Sequence, residues 1–89
     1  MRISEGSLKK LDQIFTSQGY KVRMERGNFK SGTCMLLQNK MIVINKFASL
    51  EIKLSTLSDL LIETEVDETL IPEELQSFYF QLKQTKLNV

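Results

Sequence analysis

Eighty-nine residues, 42% of them hydrophobic, are enough for one small domain and too few for two. Four glycines and one proline do not make a low-complexity chain, and no apolar run approaches the ~18 residues that a membrane span needs. The sequence has no histidine and one cysteine, which excludes the commonest general base and zinc sites built from thiolates and imidazoles. We therefore expect a single domain over residues 1–89 that is not an enzyme and uses no metal or cofactor.

The charge is distributed unevenly along the chain. The net charge is +1, but residues 1–53 hold ten Lys or Arg against four acids, and residues 54–89 hold two against seven. This uneven charge indicates an anionic partner for the basic half, two halves that face each other, or subunits that pair through opposite patches. It is equally explained by two solvated faces whose charges neutralise each other. At this chain length, surface buried in a dimer would add appreciably to stability.

The cellular compartment is predicted from two features. The amino terminus lacks the apolar segment of a secretion signal, and Cys34 has no partner for an internal disulfide. Cys34 lies in an apolar run and is most simply a small core residue of a reduced protein. These features predict a cytoplasmic protein that does not bind membranes.

The first predicted element is an amphipathic helix over about residues 5–18. Either Ser4 or Ser7 can cap its start, and Gly19 supplies the left-handed residue that ends it. Tyr20 then stands where a contact back onto the last turn is usual. Apolar residues at spacings of three and four form one buried stripe: Leu8, Leu11, Ile14 and Phe15.

Three short strands follow the helix. Apolar and charged residues alternate over residues 20–25, as in a half-buried strand. Residues 33–38 and 40–45 predict two strands joined by a tight hairpin, with Asn39 able to take a positive φ. Residues 41–44 are apolar on both faces, which indicates a central or doubly covered strand.

The last two strands also present a second apolar face. An exposed patch of that size is unusual on a monomer, so either the last helix or a second subunit should cover it. The residues of this predicted interface are Met35, Leu37, Met41 and Val43.

Two helices are predicted after the strands. Ser49 caps the first of them, whose leucine stripe is Leu50, Leu54, Leu57 and Leu61. The acidic residues 63–68 end it, and Pro72 opens the last helix, whose buried face is Leu75, Phe78, Tyr79 and Leu82. Phe80 lies off that face and is either an exposed aromatic for a partner or a core or dimer contact. The fold is thus predicted as α+β, in the order α-β-β-β-α-α, with a three-stranded antiparallel meander and helices packed on it.

The loop over residues 26–32 has the glycine spacing of a phosphate-binding loop. Thr33 and Cys34 stand where that mechanism needs Lys and then Ser or Thr, and they lead into a strand, so the motif fails. The loop either binds an anion through its backbone and cations or simply turns the chain, with Phe29 packed on the sheet. A nucleic-acid-binding surface on the sheet edge and this loop would comprise Lys21, Arg23, Arg26, Asn28, Phe29, Lys30 and Lys46.

Two segments carry a resemblance to known families. GYKVR-x-E-x-GNFKSG-x-C together with VINKF resembles an uncharacterised family of small bacterial proteins, over most of residues 5–62. Val43-Ile44-Asn45 followed by a helix is more remotely similar to zinc metallopeptidases of the phage-immunity regulator type. That resemblance implies an inactive site, because Asp59 and Glu63 stand at the ligand histidines and Leu60 at the catalytic glutamate.

Two functions are therefore predicted. The first is a non-catalytic interaction module that binds another protein or forms a homodimer, through the apolar sheet face or the last helix. The alternative is a nucleic-acid-binding protein that uses the basic sheet edge and the 26–32 loop.

Overall fold

A computed structural model describes residues 2–26, 34–37 and 40–87. The elements follow the predicted order. The helices are α1 (Glu5–Ser17), α2 (Leu50–Glu63) and α3 (Glu73–Leu87), and the strands are β1 (Lys21–Glu25), β2 (Cys34–Leu37) and β3 (Met41–Asn45). A 3₁₀ turn, Glu68–Leu70, precedes α3. None of the described helices is both long enough and apolar enough to cross a membrane.

The sheet is mixed, and the predicted antiparallel meander is wrong. The strand order is β1-β3-β2, with β1 parallel to β3 and β2 antiparallel to it. The physical reason lies in β3, whose Ile42, Val43 and Ile44 are all buried, so that this strand takes the centre. Since every second residue of β1 is charged, that strand is suited to an edge.

The two faces of the sheet differ in what covers them. Ile42 and Ile44 belong to the core cluster that the helices build, and Val22 packs against it. We call this the inner face. Lys21 pairs with Met41 and Arg23 with Val43 across β1 and β3, so these four share the opposite face, which we call the outer face. The positions of Met35 and Leu37 pair with those of Val43 and Met41 and share it.

Helix α1 begins and ends as predicted. The Ser4 hydroxyl accepts the Ser7 backbone N–H at 3.1 Å, which identifies Ser4 as the cap. Gly19 has a φ of +86°, and the Tyr20 ring lies edge-on to Phe15 at 5.7 Å between ring centres. The predicted positive φ of Asn39 lies outside the described residues, and its neighbour Lys40 has a φ of +56°.

Helices α2 and α3 complete the core. Ser49 caps α2 by accepting the Ile52 N–H at 3.2 Å, and α2 packs on α1. Helix α3 packs on α2 of its own chain. Gln18 fixes the connection between them, because its side-chain amide donates to the Asp67 carbonyl at 2.9 Å and accepts the Asp67 N–H at 2.7 Å.

Candidate functional site

The cations at the end of the parallel strands gather around an exposed aromatic ring. Arg26 follows β1, and Lys46 and Phe47 follow β3. The Arg26 guanidinium lies 6.0 Å from the Phe47 ring centre, and the Lys46 ammonium lies 5.6 Å from it. Phe47 is 69% exposed, and both cations lie within cation–π distance of its ring. We call these three residues the basic end.

Two backbone–backbone hydrogen bonds and one to a side chain hold the basic end in place. The Lys46 N–H donates to the Glu25 carbonyl at 3.1 Å, and the Ala48 N–H donates to the Asn45 carbonyl at 3.1 Å. The Asn45 side chain accepts the Phe47 N–H at 3.0 Å, as in an Asx turn. Phe47 is therefore presented to solvent by an ordered turn.

The predicted nucleic-acid residues divide between two surfaces. Arg26 and Lys46 belong to the basic end, whereas Lys21 and Arg23 lie exposed on the outer face. Arg23 also forms an ion pair with Glu25 at 3.0 Å, which offsets part of its charge. Asn28, Phe29 and Lys30 lie outside the described residues. Phe47 is not among the candidate site residues identified from the sequence. It could have been found as an aromatic residue that stands in a polar turn and belongs to no apolar stripe.

The predicted interface residues are partly covered in the single chain. On the outer face, Met41 is half-buried and Val43 is 6% exposed. Met35 and Leu37 are placed there by backbone register alone. Phe80 is 43% exposed on α3, and its ring lies 5.7 Å from that of Tyr79. Phe80 is thus an exposed aromatic at the margin of the core.

An apolar groove runs beside β1, which is an edge strand of the sheet among the residues that the structure describes. It has a volume of about 310 Å³ and lies between α1 and β1. Met24, which lines it, is 42% exposed. Desolvation raises the pKa of the Asp12 carboxyl at its margin above the usual value. The remaining lining residues are Glu5, Leu8, Lys9, Val22 and Leu57.

A second cleft, of about 400 Å³, lies at the end of the sheet opposite to the basic end. Here the end of α1 meets the connection between α2 and α3. Lys40 lines it, with its ammonium 5.5 Å from the Tyr20 ring centre and 3.4 Å from the Gln18 carbonyl oxygen. The Lys40 ammonium therefore already interacts with two groups of its own chain, a carbonyl oxygen and an aromatic ring.

The acidic residues do not form an ion-binding cluster in the part of the chain that the structure describes. Asp59 and Glu63, which the metallopeptidase resemblance places at ligand positions, are exposed on α2, and Leu60 between them is half-buried against the core.

Comparison with known proteins finds no protein-family model, no curated protein and no solved structure that matches the chain.

Proposed function

We propose that this chain is a non-catalytic interaction module of the cytoplasm that forms a homodimer. The observation that carries the proposal is the apolar groove of about 310 Å³ at the edge of a small sheet. Leu8, Val22 and Leu57 line this groove. At the edge of the same sheet, Met24 is 42% exposed. Apolar surface of this kind is stabilised by association with another protein surface.

The mass of the particle in solution tests this proposal. Light scattering at tens to hundreds of micromolar should give a mass that rises with concentration toward twice the chain mass of 10.3 kDa. A constant mass of 10.3 kDa throughout that range would contradict the homodimer.

A second candidate function, nucleic-acid binding, is favoured by the basic end. An exposed aromatic ring flanked by cations is the arrangement with which proteins stack single-stranded bases and hold the adjacent phosphates. Phe47 supplies the ring, and Arg26 and Lys46 supply the cations at 6.0 and 5.6 Å. Lys21 and Arg23 extend the positive charge along the outer face.

Fluorescence anisotropy with labelled single-stranded RNA and DNA tests this candidate. Affinity should fall steeply as salt rises, because cations that contact phosphates release counterions. Phe47→Ala should weaken binding about tenfold or more, whereas Phe80→Ala, at another exposed aromatic, on α3, should leave it unchanged. The absence of binding at low salt would exclude this function.

A further inference from the structure

The outward side of β1 is an unpaired strand edge in the part of the chain that the structure describes. The Lys21 N–H donates to the Lys40 carbonyl at 2.9 Å, and the Glu25 carbonyl accepts the Lys46 N–H at 3.1 Å. Since backbone groups in a strand alternate in direction, the odd-numbered residues of β1 bond to β3. The N–H and C=O groups of Val22 and Met24 therefore point away from the sheet.

The sequence of this edge is complementary to itself. β1 reads Lys-Val-Arg-Met-Glu. When two such strands run antiparallel with Arg23 on the two-fold axis, Lys21 of each copy lies opposite Glu25 of the other. Val22 lies opposite Met24, and these are the residues whose backbone groups point outward. One register thus satisfies the backbone groups, the apolar side chains and the terminal charges together.

We propose that two copies of this chain pair through their β1 edges in that antiparallel register. The inference rests on the homodimer proposed above and identifies its interface. Val22 and Met24 of each copy exchange N–H···O=C hydrogen bonds with Met24 and Val22 of the other. The result is one continuous sheet of six strands, since each copy contributes three.

The surroundings of the edge suit this pairing. Met24 is 42% exposed in the single chain, and across the interface it meets Val22 of the second copy on the inner face. The groove of about 310 Å³ beside the edge gives these side chains room. Arg23 faces its own counterpart at the axis, and its ion pair with Glu25 at 3.0 Å moderates that repulsion.

A second copy fits this edge better than an unrelated extended peptide does. Any peptide strand could bond to the backbone of Val22 and Met24, because those contacts carry no sequence information. The charges along β1 are complementary to those of a second, antiparallel β1, because Lys21 of one copy then lies opposite Glu25 of the other. Pairing also sets the two outer faces side by side, so that Lys21 and Arg23 of both copies lie at the centre of the joined sheet.

Charge exchange across the interface tests the register. Lys21→Glu and Glu25→Lys alone each place like charges opposite one another at both symmetry-related pairs. Each variant should weaken dimerisation at least about tenfold in sedimentation equilibrium. The double variant restores opposite charges and should return the dissociation constant to within about threefold of the original. Lys21 is exposed and the Glu25 side chain is 43% exposed, and circular dichroism would confirm that the variants remain folded.

The possible outcomes test the β1 interface separately from the existence of the homodimer. Met41→Lys on the outer face is the control and should leave dimerisation unchanged. A dimer that this control disrupts, or that the single charge variants do not weaken, would overturn pairing through β1 while leaving the homodimer intact. Single variants that weaken the dimer without rescue by the double variant would overturn this register. A monomer at all concentrations would overturn both proposals.

Discussion

Gln18 joins two parts of the chain that are far apart in sequence. Its side chain lies almost entirely within the protein and forms a two-point hydrogen bond with the backbone of Asp67, 49 residues away. Local patterns predict that α1 ends near this residue, but they give no indication of this contact. The amide holds the connection between α2 and α3 against the end of α1, and thereby fixes the start of α3.

Removal of the Gln18 amide should destabilise the protein. Gln18→Ala leaves the N–H and C=O of Asp67 without these partners and should lower the free energy of unfolding by about 1–3 kcal/mol. Gln13→Ala, at an exposed position within α1, is the matched control and should change it by less than about 0.5 kcal/mol. Urea unfolding of both variants measures the difference, and equal effects would contradict a structural role for the amide.

Asp12 gives a pH dependence whose sign follows from its environment. Desolvation raises its pKa above the usual 3.8, so the folded state disfavours the ionised carboxyl. The folded chain then binds a proton at a higher pH than the unfolded chain does. The contribution of Asp12 to stability therefore improves as pH falls from neutral through the folded pKa.

The neutral substitution Asp12→Asn removes this dependence. It should stabilise the protein at pH 7 by less than about 1 kcal/mol, because the carboxyl remains largely exposed. The advantage should shrink as pH falls toward the usual value of 3.8. Chemical unfolding of both proteins between pH 3 and pH 7 measures it, and a variant that is less stable at pH 7 would contradict the assigned desolvation. Glu5 and Lys9 line the same groove and are unchanged in both proteins.

At the scale of the elements, one glycine lies inside α1 and another follows its end, and the two have opposite roles. Gly6 lies in the first turn of the helix, and Gly19 follows its end with a φ of +86°. A Cβ at either position would meet no atom closer than ordinary van der Waals contact, the nearest being 3.6 Å and 3.8 Å away. Any difference between substitutions at these sites is therefore conformational.

The same substitution should thus act in opposite directions. Gly6→Ala should stabilise the protein by up to about 1 kcal/mol, because alanine loses less conformational entropy in a helix. Gly19→Ala should destabilise it by about 1–2 kcal/mol, because an L-residue is strained at positive φ. Thermal unfolding of both variants measures the pair, and a stabilising Gly19→Ala would contradict the helix end described here.

The elements themselves are largely encoded in local patterns, but their arrangement is not. The leucine spacing in α2 and the serine and glycine signals around α1 correctly predict the helices, because these signals depend on neighbours within a few residues. The apolar residues 41–44 of β3 also indicate a central strand. The choice of a meander was wrong because strand partners are set by long-range contacts. The approach of Arg26 to Phe47 depends on the same parallel pairing and so could not be predicted either.

At the scale of the whole molecule, the sheet relates the charge asymmetry to the proposed dimer. Lys21 and Arg23 lie on the outer face, and Arg26, Lys46 and Phe47 lie at its end. Many of the acids of residues 54–89 lie on α2, on α3 and on the connection between them. Pairing through β1 would join two such positive surfaces without bringing these acids into the interface. The dimer would therefore present one extended basic sheet.

Hydrogen exchange at the backbone of β1 tests this arrangement most directly. In a single chain the N–H groups of Lys21, Arg23 and Glu25 bond to β3, whereas those of Val22 and Met24 point away from it. Edge pairing predicts that the Val22 and Met24 amides exchange slowly at high protein concentration and faster on dilution, while the other three remain protected throughout. Fast exchange at Val22 and Met24 under conditions where the particle has twice the chain mass would contradict the proposed interface.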